Sequence, residues 1–503
     1  MKLIGIFSGI IALSVIYTIQ AALPAFPGAE GFGRNASGGR GGEVFHVTNL
    51  DDSGPGSFRD AVSKSNRIVV FDVGGVIQLK GGKKNRIVVK KNIYIAGQTA
   101  PGGGITIYRN GVAFNKESGN NIIRYIRIRM GKNGEAKKDA VGVSDGQDYM
   151  FDHVSISWGR DGTFDANGGA IDNISLQDCI IAQGINNQNH STGGLMQGPK
   201  WSVIRTLYIG NKTRNPKARG THEFINGVLY NWASDGYIMG HTSGESKCNL
   251  IGNYFIYGPS SKGSHITNST PQFKVYGKDN WVDNNKNGKL DGKKMTSYAK
   301  ATVVNTPFDH PGVNKLLSAQ DALNHVIKHA GASLVRDEVD KFLIDQLESY
   351  GRKGKIINTE DDNGIPGNVG TVANGTPPKD SDKDGMPDDW EKKHGLNPNS
   401  ADNNGKSLSK EGYTNIEMYI NELAGDPVEF ANGTVAVNEM NQSIKKGIQS
   451  FTTIAPHHIE VFTLQGNRIY RGKEMPTQLP TGLMLFVEKN SLNKEIRSYM
   501  ILP

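Results

Sequence analysis

The chain has only two cysteines in 503 residues, Cys179 and Cys248, far apart in sequence and each inside an apolar, strand-like run. They read as small buried hydrophobes and not as a bridge, since a protein with a large core needs no disulfide even in an oxidising compartment. No heptad, leucine-rich or ankyrin pattern is present. The glycine-rich stretches "SGGRGG" and "PGGGI" fit neither the phosphate-loop nor the dinucleotide template, and no helix follows them, so nucleotide binding is set aside.

What is present points outward from the cell. The N-terminus reads "MKLIGIFSGIIALSVIYTIQAALPAFPG", with Lys2, an apolar run to about Tyr17, and small residues at Ala21 and Ala22. That is the pattern of a secretory signal peptide over 1–22, too short for a comfortable membrane span. No cysteine follows the run, which argues against a lipid anchor. A formal net charge of +8 suits an anionic partner. For a secreted protein that partner is an acidic polysaccharide or a surface, not genomic nucleic acid. The length suggests two to four domains.

From about residue 40 to 260 one kind of segment recurs: "KNIYIAG", "NNIIRYIRIRM", "DYMFDHVSISW", "DNISLQDCIIAQ", "WSVIRTLYIGN", "HEFINGVLYNW" and "CNLIGNYFIYG". Their starts fall roughly 21 to 29 residues apart, the spacing of a solenoid. Alternating β-branched and aromatic residues predict strands with one buried face, and Asn, Gly and Asp predict the turns between them. The pattern predicts an all-β parallel β-helix over 23–350, with a β-sandwich as the alternative. Outward-pointing side chains on successive coils would line a groove. "SAQDALNHVIKHAG" and "RDEVDKFLIDQLESYG" have helical spacing and predict short helices packed on the solenoid. A Gly/Pro/Asn-rich stretch over 351–379 reads as a linker.

Beyond it, "DSDKDGMPDDWE" places Asp380, Asp382, Asp384, Gly385, Asp388 and Glu391 at positions 1, 3, 5, 6, 9 and 12 of a loop. Alternate carboxylates can turn toward one hard cation, glycine permits the sharp bend, and the final glutamate can close the shell, so 380–425 is expected to bind Ca2+. A look-alike, "VDNNKNGKLD", lacks the closing glutamate and reads as an Asn-rich turn. Within the solenoid, Asp161 and Asp165 flank Gly162, and a coil period near 24 would stack Asp139 below them. Spacing alone leaves a metal site and salt bridges equally open. Asp152 and His153 precede an alternating run, which favours a structural histidine. "TRNPKARG" holds Arg214 and Arg219 across a proline, and a short basic run alone is usually a solvated face.

Taken together, "AFPGAEGFGRNASGGRGGEVFHVTNLDDSGPGSFRDAV", "FDHVSISWGRDGTFD" and "TRNPKARGTHEFINGVLYNW" resemble the pectate lyases of polysaccharide lyase family 1, especially those of Bacteroidetes. The resemblance implies a right-handed single-stranded parallel β-helix (pectin-lyase-like) and β-elimination of polygalacturonate with calcium in the groove. It makes Arg214 the base and Arg219 a substrate-carboxylate binder, matches Asp139, Asp161 and Asp165 to calcium ligands, and gives Asp152 and His153 a mostly structural role. Two positions depart from the pattern: Lys137 stands where relatives have an aspartate, and "NHSTGG" replaces a family lysine, leaving His190 as the nearest polar substrate-binding candidate.

From about Asn438 the sequence changes to short strands with Gly and Pro turns, read as a small C-terminal β-sandwich module over 438–503. "IEVFTLQGNRIYRG" and "LPTGLMLFV" resemble the sorting domain of type IX secretion substrates, which implies export with the type IX machinery as partner and a secreted or cell-surface monomer. The rival readings are a non-catalytic pectin-binding β-helix, a pectin lyase, and a polygalacturonase that would need clustered aspartates to activate water.

Overall fold

The computed structural model describes residues 22–187, 189–240 and 244–431, together with the backbone of strands between His458 and Leu502. The chain divides into two compact units, Met1–Glu429 and Phe430–Pro503. The leader predicted over 1–22 falls almost wholly outside the described residues. Among the described residues no helix is long and apolar enough to cross a membrane.

The first unit is a parallel β-helix. Each full coil contributes one strand to each of three sheets, of eleven, ten and eight strands, which run in chain order along the solenoid. Residues in register form apolar ladders. In the first sheet Val69, Ile95, Ile123, Phe151, Leu176, Val203, Phe224 and Leu250 stack in sequence. In the second sheet Ile77, Ile107, Ile128, Ile156, Ile181, Tyr208, Leu229 and Phe255 do the same. All are buried. Burying each such side chain stabilises by about 1.5–3 kcal/mol, so the repeated alternation read from the sequence is also the main source of stability. Cys179 and Cys248 are both free and buried in this core, as expected.

One residue per coil turns the chain from the first sheet into the second. Tyr125, His153, Asp178, Arg205, Asn226, Gly252 and Asp279 occupy that corner with φ between 45° and 66°. For the non-glycine members this backbone costs on the order of 1 kcal/mol each, offset by side-chain contacts along the corner.

Helices Ala319–His329 and Glu338–Glu348 follow the solenoid and are capped by Ser318 and Asp337. They lie against the second sheet, where Leu323, Val326, Leu343 and Leu347 join Ile180, Leu207 and Val228. Arg129 from the sheet reaches Asp337 at 2.8 Å and Asp340 at 3.0 Å. The segment 351–379 is not a free spacer. Ile357 and Val369 enter the same cluster, and the buried Glu360 accepts hydrogen bonds from Tyr108 Oη and Lys132 N. Residues 380–425 dock on the outer side of the first sheet, where Met386, Ile416 and Ile420 pack with Ile68, Val70 and Tyr94.

In the second unit the described strands His458–Thr463, Arg468–Gly472, Gly482–Lys489 and Glu495–Leu502 form one antiparallel sheet. The sequence predicts a sandwich; the described residues show this single sheet.

Candidate active site

The third sheet gathers most of the predicted chemistry. Its successive strands include Val141–Val143, Phe164–Ala166, Leu195–Met196 and Lys217–Ala218. Gly142 lies opposite Asp165 and Leu195 opposite Lys217, and isolated bridges stack Gly162 on Thr192 and Thr192 on Thr213. Asp139, the Asp161/Asp165 pair, His190 and the Arg214 segment therefore sit on consecutive coils of one sheet.

Asp139 and Asp165 converge on Gly162. The Gly162 N–H donates to Asp139 Oδ1 at 2.8 Å. A Cβ at Gly162 would stand 1.8 Å from Asp165 Oδ1 and 2.9 Å from Asp139 Oδ1, so glycine is required there by space. Asp165 Oδ1 also accepts the Leu195 N–H at 3.0 Å. Burial raises the Asp165 carboxyl well above the ordinary range, and the neighbouring Asp139 and Asp161 add to it, against the Leu195 N–H and the Arg214 charge. Asp139 is raised too, first by burial and then by Asp161, against Gly162 N–H and Arg86. Asp161 has a different partner, His190, whose Nδ1 is 2.6 Å from Asp161 Oδ1. The carboxylate oxygens of the three aspartates are not all within 4.8 Å of one another, a spacing that three other Asp/Glu/His groups meet among the described residues.

The arginine segment follows. The Arg214 carbonyl accepts the Gly194 N–H at 2.8 Å, Asn215 is buried, and Thr213 Oγ1 donates to Asp235 Oδ2 at 3.1 Å. These contacts pin a backbone that is left-handed at Arg214, φ 57°. Among the described residues the Arg214 guanidinium has no ion-pair partner within 4.0 Å, and the buried Arg219 Nε makes no hydrogen bond. Between them, Lys217 is held below the usual lysine range by burial, by Arg219 and by Arg214. Three cations thus lie together one coil beyond Leu195, the residue that anchors Asp165.

Comparison with known proteins gives the family. A protein of Aspergillus flavus named "Probable pectate lyase C" is 50% identical over 417 residues, covering 82% of this chain and 96% of its own. The chain belongs to the pectate lyase family of polysaccharide lyases. A pectate lyase family relative of the same name from Aspergillus fumigatus is 49% identical over 420 residues, covering 82% of this chain and 97% of its own. Among solved structures, the major cedar-pollen allergen Jun a 1 aligns at TM-score 0.42 and 18% identity, covering 60% of this chain and 92% of that one. A pectate lyase of Paenibacillus sp. 0602 aligns at 0.41 and 12%, covering 64% and 99%. No protein-family model matches the chain.

Within this pectate lyase fold the remaining predicted residues lie elsewhere. Asp152 and His153 stand at the corner between the first and second sheets. Asp152 is fully buried, 2.8 Å from Arg124 Nε, and His153 stacks on Tyr125 with ring centroids 4.6 Å apart. The acidic loop lies at the docked segment on the first sheet. Asp380, Asp382 and Asp384 form one close group of oxygens, and Asp384, Glu391 and Asp402 form another. Burial, then Asp384 and Asp382, push the Glu391 carboxyl up to about 8. Asp388, expected as a ligand, belongs to neither group: it is 2.7 Å from Lys379 Nζ and accepts Ser381 N at 2.7 Å and Ser381 Oγ at 2.9 Å. In "VDNNKNGKLD", Asp291 accepts side-chain amides of Asn285 and Asn287, the self-contained turn expected.

Sequence reasoning missed three residues. Lys217 was hidden inside the basic run. Arg86 lies near Asp139, since a Cβ built at Gly142 would meet Arg86 Nη2 at 3.1 Å and Asp139 Oδ2 at 3.2 Å, and its charge opposes the rise of the Asp139 carboxyl. Asp402 lies outside the loop motif altogether.

Proposed function

We propose that this chain cleaves polygalacturonate by β-elimination on the third sheet, with Arg214 as the base. The observation that carries this reading is one sheet bringing part-buried, mutually repelling carboxylates beside a pinned arginine that has no acidic partner within 4.0 Å among the described residues. The close approach of Asp139 and Asp165 at Gly162, with Arg86 and Arg214 as more distant counter-charges, fits a hard divalent cation taken by oxygen donors, and Ca2+ is the cation of this kind with loose enough geometry. Asp139, Asp161 and Asp165 would hold it, and it would supply positive charge to a uronate carboxylate. Because the three aspartates form an open set, the remaining ligands would come from substrate and water.

The residues of the chain then divide the work. Elimination removes the C5 proton of a galacturonate, forms the C4–C5 double bond, and breaks the C4–O bond so that the electron pair leaves with the glycosidic oxygen. Arg214 takes the proton, which requires its neutral form, and a guanidinium is protonated almost completely at neutral pH. The rate is therefore expected to climb toward alkaline pH. Arg219 grips a uronate carboxylate, a role suited to its planar fork. Lys217, lowered in pKa and flanked by both arginines, stabilises the negative charge that grows at C5 and C6 in the transition state. This assigns to Lys217 the position that sequence reasoning gave to His190, whose imidazole instead orients Asp161.

The leader and the C-terminal unit support export, with the type IX machinery as partner for the latter, and a monomeric enzyme acting at or beyond the cell surface. The test is to incubate the mature protein with polygalacturonate at alkaline pH, with Ca2+ or with chelator. A calcium-dependent rise in near-ultraviolet absorbance from the unsaturated end is expected. Reducing ends without that absorbance would mean hydrolysis, and bound but uncut polymer would mean a binding protein.

A further inference from the structure

The acidic loop is not absorbed by the reaction on the third sheet, and it presents a second, closed arrangement. Glu391 is fully buried, and neither of its carboxylate oxygens has a hydrogen-bond partner among the described residues. Asp382 Oδ2 is equally unpartnered. An ionised carboxylate taken out of water without a donor is strongly disfavoured, so a side chain held this way is built for a ligand that supplies positive charge. Asp384 joins the two groups of oxygens, because its oxygens lie within 4.8 Å of those of Asp380 and Asp382 on one side and of Glu391 and Asp402 on the other.

The backbone is already folded around that point. Asp380 accepts the N–H groups of Lys383 at 2.8 Å and Gly385 at 2.9 Å, and Asp384 accepts those of Met386 at 3.0 Å and Asp402 at 3.1 Å. Gly385 has φ 92°, and a Cβ there would stand 2.7 Å from Ile416 Cδ1 and 2.8 Å from Val44 Cγ1. The same glycine thus permits the loop bend and the contact with the first sheet. Asp388 fixes the entry to the loop through Lys379 and Ser381 and is spent on that task. The imidazole of His46 lies at the edge of the acidic group, its Nε2 3.8 Å from Asp380 Oδ2.

We propose that Asp380, Asp382, Asp384, Glu391 and Asp402 form a structural calcium site that clasps residues 380–425 onto the first sheet of the solenoid. All five ligands are carboxylates, which selects a hard cation, and a ligand set drawn from two separate turns suits the larger and less demanding Ca2+ over Mg2+. The ion closes a loop between 380–391 and the turn at Asp402, and Met386 and Ile416 carry that closure into the core beside Ile68 and Val70. This site is independent of the reaction assigned to the third sheet.

Calcium titration calorimetry and thermal melting of the full-length mature protein test it, in an Asp165→Asn background that weakens calcium binding by the third-sheet aspartates. One calcium per chain is expected to bind, with a rise in melting temperature. Asp402→Asn and Glu391→Gln should each weaken this binding by at least about tenfold and abolish the rise. Asp388→Asn should keep both the binding and the rise. Glu391→Gln removes a buried charge and is expected to fold without the ion, so loss of binding in it is not loss of fold. Unchanged binding in Asp402→Asn, no binding in the Asp165→Asn background, or an equal response to Mg2+ would each overturn the proposal.

Discussion

The third sheet and the docked loop both collect carboxylates, yet they do so in opposite ways. On the third sheet, Asp139 and Asp165 meet at Gly162 while Asp161 turns to His190, and cations lie around them: Arg86 near Asp139, and Arg214, Lys217 and Arg219 a coil away. The set is half-exposed and incomplete. In the loop, five carboxylates draw together, and the glutamate that closes them is fully buried with no hydrogen-bond partner among the described residues. On the proposed reading, an open set beside guanidinium groups that lack an acidic partner among the described residues would share its ligand with a substrate, and a closed, buried set would keep one.

Substitutions at the two sites should separate their roles. The largest effect is expected in catalysis. Lys217→Met should lower kcat by about 10²-fold with little change in the calcium requirement, as for removal of a group that stabilises transition-state charge; steady-state kinetics on polygalacturonate check it. Asp165→Asn should do the reverse in part, raising the calcium needed for half-maximal activity by about 10- to 100-fold. If Asp402→Asn shifted that requirement equally, the two regions would not be distinct. A smaller effect is expected in stability: chelator should lower the melting temperature of wild-type protein by a few degrees, and should leave Glu391→Gln unmoved.

The smallest effect concerns pH and the corner between the first and second sheets. Burial opposes ionisation of Asp152, but the charges of His153 and Arg124 win and hold its carboxyl below the usual range. For Asp178 burial is likewise outweighed, by Arg205 and by His325. A carboxyl depressed in the folded state stabilises above its unfolded value, about 3.9, and that contribution is lost as pH falls through the folded value. Acid melts of the wild type should therefore fall away below about pH 4, and Asp152→Asn should flatten the decline. His153 has the opposite sign: Asp152 raises it against burial, so its contribution is full below about pH 6.5 and fades as pH rises through its higher folded value.

The solenoid was legible because its physics is periodic. Each strand buries alternate residues, each coil repeats that pattern, and the coil length then predicted that Asp139 would stand one coil from Asp165, as the pairing of Gly142 with Asp165 shows. What composition could not reveal was packing without regular structure. The stretch 351–379 lacks strands and helices beyond a short turn at Glu360–Asn363, so it read as a linker, but Glu360 and Val369 bury themselves against the solenoid. Residues of the site that were missed share one feature. Arg86 and Asp402 reach their partners from other coils or turns, at separations no motif encodes, and Lys217 is distinguished from any surface lysine only by the two arginines that the fold sets beside it.

The central claim is that Arg214 takes the proton on the third sheet. The most direct measurement compares wild-type protein with Arg214→Ala on polygalacturonate at alkaline pH with Ca2+, following near-ultraviolet absorbance, with melting curves to confirm that both are folded. The account predicts a steady rise for the wild type that is steeper at higher pH, and a rate lower by about 10²- to 10⁴-fold for the folded variant. A variant that eliminates at the wild-type rate would contradict it.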